Sequence, residues 1–255
     1  MSGPFGSAPW LYNPSTGFYP YEPTGSLRFE DGDSPYLTRT PASAGNQKTW
    51  TFSAWVKRGN LSNGMLIDAG DTYVQFDSNT ITINLRNGAT NYFGITNAVF
   101  RDVASFYHIT VAVDTTESTA ADRLKLWVNG EEITSWSTSS YTSIAQNFDT
   151  AINSTSAHYI GRYNDGSLYY DGYMSEIYLI DGTAHDADAF GEFKNGVWVP
   201  KDAKGSLTFG TNGFYLPFNS TVTAEGQSTV LYEGNASVRS IEGFGYKPDF
   251  VWVKN

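Results

Sequence analysis

Aromatic, amide and carboxylate side chains gather in a few short stretches of this chain, and that mixture suits sugar recognition. Asn91-Tyr92, Trp136, and Tyr163-Asn164-Asp165 followed by Tyr169-Tyr170 are the stretches concerned, and Tyr141 could join them. Rings offer flat apolar platforms, while amides and carboxylates orient hydroxyl groups. The segment from Tyr163 to Asp171 is the richest. Tyrosine-rich loops serve protein–protein contact equally well, because rigid aromatic area carries much of the energy there. Residue types alone leave both uses open.

Catalysis needs an acid, a base or a nucleophile. The histidines are His108, His158 and His185. His108 alternates with the apolar residues of its strand, which puts its ring on the opposite face. His158 precedes a strand and His185 sits in a loop, neither within a motif. No Gly-x-Ser-x-Gly elbow, His-Glu-x-x-His or phosphate-binding loop occurs. A jelly-roll glycosidase needs two carboxylates on one strand face, about 5 Å apart for retention. The string Glu-x-Asp-x-x-Glu that would supply them is absent, and adjacent Glu131 and Glu132 point to opposite faces. Asp186-Ala-Asp188 opens like a calcium-binding helix–loop–helix segment, but Phe190 and Val197 stand where oxygen ligands belong. It reads better as a short helix start near Asp186–Phe190. The expectation is a protein that is not an enzyme.

Those residues must be held by strands. Phe106-Tyr-His-Ile-Thr-Val-Ala-Val-Asp114 and Arg123-Leu-Lys-Leu-Trp-Val-Asn-Gly130 alternate strictly. Ile109, Val111 and Val113 share one face, as do Leu124, Leu126 and Val128, so the two strands share a buried side. Asn129-Gly130 supplies the positive backbone angles of a tight hairpin. Short strands are expected at 26–30, 36–39, 49–57, 65–68, 73–76, 81–86, 92–95, 107–114, 124–128, 158–161 and 173–181. Turn dipeptides punctuate them, among them Asn63-Gly64, Asn87-Gly88 and Asp165-Gly166. That spacing predicts an all-β antiparallel sandwich. Trp50, Trp55 and Trp127 lie within the strongest strands and are expected in the core.

Composition narrows the partners. The chain has 255 residues, 40% hydrophobic and 16% aromatic, with a net charge of −10 and 16 Lys+Arg. Nucleic acid is a poor partner for so acidic a surface, since phosphate contact needs clustered cations. Cysteine is absent, which rules out disulfides and thiolate metal sites and leans toward intracellular assembly. Met1-Ser-Gly-Pro-Phe-Gly6 has neither the basic start nor the apolar run of a signal peptide. No segment reaches the ~18 apolar residues of a membrane span. The Asn-x-Ser/Thr sequons at Asn60, Asn153, Asn219 and Asn235 read as chance in a chain rich in these residues.

The ends differ from the middle. Residues 1–25 interleave Pro4, Pro9, Pro14, Pro20 and Pro23 with Phe5, Trp10, Tyr12, Phe18, Tyr19 and Tyr21. Proline denies this arm ladder pairing, and so many aromatics are unusual in a disordered tail. It either docks on a partner or folds back on its own domain. Residues 191–226 read as a connector, and 227–255 as the start of a further β domain that the natural protein would continue.

Five segments in order resemble laminin G-like domains of the concanavalin A-like jelly-roll superfamily. They are Ser26–Asp33 with Tyr36-Leu37, Trp50–Lys57, Tyr107–Asp114, Leu124–Gly130, and Tyr159–Arg162 with Asp171-Gly172-Tyr173 and Glu176–Tyr178. The resemblance implies a jelly roll over 26–190 and a structural role for His108. It also implies a rim Ca2+ site, for which Asp71 and Asp149 are the matching oxygen donors. With Gly213-Phe-Tyr-Leu-Pro-Phe218 and Gly243–Asn255, the chain resembles tail-fibre or virion surface proteins of tailed phages, particularly those of marine bacteria and cyanobacteria. That implies a non-enzymatic virion protein made in a bacterial cytoplasm. Its arm would join other virion proteins, its jelly roll would meet a host-surface glycan or a neighbouring subunit, and the oligomer would be a trimer. A free carbohydrate-binding adhesin is the alternative.

Overall fold

The computed structural model describes residues 19–218. Phe5, Trp10, Tyr12 and Phe18 of the arm, and the β pattern expected over 227–255, lie outside the described residues.

Alternation of apolar and polar residues builds two seven-stranded antiparallel sheets. The first runs β1 (Leu27–Phe29), β13 (Gly172–Asp181), β3 (Thr49–Arg58), β8 (Tyr107–Asp114), β9 (Leu124–Val128) and β10 (Glu131–Glu132), and β16 (Phe214–Leu216) shares an edge of β13. The second runs β11 (Trp136–Ser139), β7 (Thr90–Thr96), β6 (Thr80–Asn87), β5 (Thr72–Asp77), β4 (Gly64–Ala69), β12 (His158–Ile160) and β2 (Leu37–Arg39). Among the described residues the helical segments are 3-10 turns, one of them at Ala187–Ala189 inside the expected helix start. The expected all-β jelly-roll sandwich is the fold the chain adopts.

One core joins the sheets. Phe52, Val111 and Leu126 are lateral neighbours across β3, β8 and β9. They pack in one cluster with Ile67, Val74, Phe76, Ile83 and Leu85 of the second sheet. Burying each such side chain stabilises the fold by about 1.5–3 kcal/mol. Trp50 belongs to this cluster, and its indole N–H donates to Thr150 Oγ1 at 2.9 Å. Trp55 and Trp127 do not. They alternate with core residues, so the period of two turns them onto the outer face of the first sheet, where both are half-buried.

That outer face is covered by chain expected to be a connector. β14 (Gly191–Lys194) and β15 (Val197–Pro200) form a hairpin that lays Trp198 over His108. The Asn129-Gly130 turn has the expected positive φ angles, 52° and 81°. Gly130 has a second purpose: a Cβ there would stand 2.3 Å from the Trp198 ring.

The described end of the arm docks on its own domain. Ser175 Oγ donates to the Gly25 carbonyl at 2.5 Å, and Tyr21 OH donates to Glu176 at 3.2 Å. Glu176 sits at a register shift in β13 with φ of 49°, a left-handed angle uncommon for a non-glycine residue. Its buried carboxylate also accepts from Tyr178 at 3.1 Å and Tyr215 at 2.8 Å. Burial raises the Glu176 pKa, and the phenol hydrogen bonds offset part of that rise.

Candidate functional site

The second sheet carries a polar rim built from the β4–β5 turn and the loop between β12 and β13. Gly70 and Asp71 both take left-handed angles, φ 51° and 70°, to reverse the chain within two residues. Across from them, the amide of Tyr163 bonds the Ser167 carbonyl at 2.9 Å, and Gly166 bonds back to Tyr163 at 3.1 Å. Asp165-Gly166 is thus a working turn, as its sequence suggests. Met65 in β4 donates to the Leu168 carbonyl at 3.0 Å, which pins the loop over that strand.

Asp71 joins the two parts. Its Oδ1 accepts from Tyr163 OH at 2.5 Å and from Asn164 Nδ2 at 2.6 Å, and its Oδ2 pairs with Arg86 at 3.1 Å. Burial works to raise the Asp71 pKa, but these two hydrogen bonds and the Arg86 charge outweigh it and hold the carboxyl below its ordinary value. Tyr163 shifts the other way, pushed up by burial and then by Asp71. Its ring meets Tyr73 edge-on at 5.8 Å. Beside it, the Arg162 guanidinium lies 3.9 Å from the Tyr36 ring and 4.4 Å from the Tyr159 ring.

The structure therefore brings Tyr163, Asn164 and Asp71 together, with Asp165 exposed on the same loop and Tyr169 half-buried near its end. Asn91 stands opposite Arg86 in the β6–β7 ladder and so faces the same side. The other expected platform residues do not join. Tyr170 is 1% exposed, packs on Phe29 and donates its hydroxyl to the Lys57 carbonyl at 2.9 Å. It is a core residue, because the loop has already re-entered the sandwich there. Tyr92 and Trp136 pack against the core instead: Tyr92 meets Phe148 at 5.1 Å, and Trp136 fills the space left by Gly94, where a Cβ would stand 2.8 Å from its ring. The pleat turns Tyr92 to the opposite side from Asn91.

Asp71 and Asp149, the expected oxygen donors of a rim Ca2+ site, are each paired with a basic side chain. The Asp71 oxygens are taken by Tyr163, Asn164 and Arg86, and Asp149 pairs with Lys48 at 3.6 Å. A cation would have to displace both basic partners. Carboxylates do converge elsewhere, at Glu30, Asp31 and Asp171, where Asn60 Nδ2 bridges Asp31 at 3.2 Å and Asp171 at 2.9 Å.

Sequence reasoning missed Asp68, Arg86 and Arg162. Asp68 had a signal: an acidic residue inside the apolar run Met65-Leu-Ile-Asp-Ala69. It is fully buried, and neither carboxylate oxygen has a hydrogen-bond partner. Burial, and secondarily Asp71, pushes its pKa up to about 7. The amides of Asp71 and Asn164 approach and lower it somewhat without reaching hydrogen-bonding geometry.

Two of the three histidines are held by hydrogen bonds within the fold. His108 lies buried under Trp198, and burial pushes its pKa down to about 3. His158 accepts from the Asn153 amide at its Nε2 and donates from its Nδ1 to the Ser156 carbonyl, both at 2.9 Å.

A family model of the concanavalin A-like lectin/glucanases superfamily matches residues 31–188, more than half of the chain. The chain belongs to that superfamily. No curated protein matches it in sequence. Among solved structures it is similar to a heptameric SAP-like pentraxin from Limulus polyphemus, at 14% identity and a TM-score of 0.42, over 63% of this chain and 76% of that one. The mouse laminin alpha1 LG4-5 domains align at 13% identity and a TM-score of 0.43, over 61% and 40% of the two chains. A sialidase CBM40 from Ruminococcus gnavus, bound to sialyllactose, aligns at 14% and 0.43, over 60% and 94%.

Proposed function

We propose that the chain is a non-enzymatic virion surface protein, a tail or head fibre of a tailed phage. In this reading its lectin-like domain meets a host-surface glycan at the rim formed by Asp71, Tyr163, Asn164, Asp165 and Tyr169. The observation that carries the glycan reading is the fastening of Tyr163 and Asn164 to one carboxylate. It fixes an aromatic ring and an amide in place before any ligand arrives, which lowers the ordering cost of binding. The virion setting is supported by the motif resemblance over Gly213–Phe218 and Gly243–Asn255.

Contact with a neighbouring subunit is the second reading, and a specific observation favours it. Phe193 and Val197 on the β14–β15 hairpin are 51% and 49% exposed, and Phe106 nearby is 38% exposed. Exposed apolar area of this kind marks association surfaces. A homo-oligomer, a trimer by the same resemblance, would cover it.

Attachment would fall to the arm. The arm in this reading is residues 1–25, whose described end is tied to the domain through Tyr21 and Gly25. Deleting residues 1–18 should leave a folded protein that particles no longer incorporate, read by imaging purified particles. Incorporation at the wild-type level would overturn the attachment role, and glycan binding with no particle association would favour a free adhesin.

A further inference from the structure

We propose that residues 1–18 dock on the chain's own domain, in an apolar groove beside the described end of the arm, with Trp10 and Tyr12 as the anchoring side chains. The inference concerns the free chain and does not depend on the virion reading.

The groove encloses about 510 Å3 on the outer face of the first sheet, within the size range of pockets that hold a ligand. Trp55 comes from the sheet, Tyr19 and Pro23 from the arm, Phe106 from the loop before β8, and Trp198 and Pro200 from the hairpin. Two bonds shape it. Ser175 Oγ ties the arm to the sheet at Gly25, and the Trp198 indole ties the hairpin to His108. Ser175 and His108 are the register partners of Trp55 on its two sides, so both fastenings flank the same ring. No charged side chain lines the groove. Tyr19 and Phe106 are exposed, and covering such aromatic area is favourable.

Position, charge and backbone type name the occupant. Tyr19, where the described chain begins, itself lines the groove, so residues 1–18 lead directly from it. Trp10 is nine residues upstream, a reach of up to about 30 Å. A tether that short gives an effective concentration of roughly millimolar, which fills even a weak groove. Residues 1–18 contain no Asp, Glu, Lys, Arg or His, in a chain of net charge −10. An uncharged segment can enter an uncharged groove without desolvating an ion. The larger cavity on this sheet suits it less, because Asp114, Glu117, Glu132 and Asp186 are among its lining residues. Pro4, Pro9 and Pro14 dispose the segment to extended backbone, and aromatic-lined grooves take proline-rich segments of that kind. Pro9-Trp-Leu-Tyr12 is its densest apolar run and supplies the anchors.

The test is fluorine NMR of the full chain carrying fluorotryptophan, with the Trp10 signal identified by its loss in Trp10→Phe. Two further variants, Phe106→Lys and Thr24→Arg, each place a charge at an exposed lining position, and melting curves report whether each is folded. The expected result is a Trp10 signal shielded from solvent, with a small shift between H2O and D2O, unchanged on dilution. That protection should be lost in both variants, and either one decides if the other fails to fold. A solvent-exposed Trp10 in the wild type would overturn the proposal, as would protection that persists in the folded variants. Protection lost on dilution would overturn docking within one chain and assign the groove to the arm of a second copy.

Discussion

The indole N–H of Trp198 donates to Nδ1 of His108 at 3.0 Å. That one bond fixes the histidine's protonation: Nδ1 must be the bare nitrogen, so Nε2 carries the proton and donates to Ser53 Oγ at 2.8 Å. The ring lies between Trp55, 4.8 Å away, and Trp198, 5.8 Å away. A histidine in the middle of the best-defined strand is thereby structural, and a hairpin beyond the family-matched residues is part of the folded unit.

Replacing Trp198 by alanine should therefore cost about 3 kcal/mol or more, because it opens a cavity over the first sheet and leaves His108 without its donor. Urea unfolding at neutral pH checks this. A loss under about 0.5 kcal/mol would mean that the hairpin is not fastened as described.

Much of the frame was legible in the sequence. Strict alternation in 107–114 and 124–128 located β8 and β9, and Asn129-Gly130 located the turn. What failed were judgements of side. Trp55, Trp127, Tyr92 and Tyr170 are all large aromatics whose type says buried or binding without saying which face. For Trp55 and Trp127 the cover comes from residues 191–200, far along the chain, whereas Tyr92 turns inward with the pleat and Tyr170 where its loop re-enters the sandwich. The site was half legible. Tyr163-Asn164-Asp165 announced a loop by composition, but its partner Asp71 is some ninety residues earlier, and only strand pairing brings them together.

Asp68 makes a pH prediction. Its folded pKa of about 7 lies above the ordinary 3.8, so the folded state holds more protons between those values. Stability from this group is lost as pH rises through that window. Asp68→Asn should stabilise the protein at pH 8 by up to about 4 kcal/mol and change little near pH 4. Denaturation curves at both pH values check it. An equal effect at the two would contradict the assignment.

Tyr21→Phe tests whether the arm is held by Glu176. Removing one of three phenols from a buried carboxylate should cost about 1 kcal/mol in unfolding free energy. No change would mean that the Tyr21 contact does not persist in solution.

Calcium tests Asp71 and Asp149. With Arg86 and Lys48 already paired to them, millimolar Ca2+ should leave the melting temperature where it was. A rise of several degrees, lost on Asp71→Asn, would show that the ion displaces Arg86.

In the proposed function the Asp71-fastened rim recognises glycan. The most direct measurement is the affinity of the full chain for oligosaccharides on an array, compared with Asn164→Ala and Tyr163→Ala. Binding by the wild type with at least a tenfold loss in both variants is the predicted result. Wild-type binding that both variants retain, or no binding at all, would contradict the account.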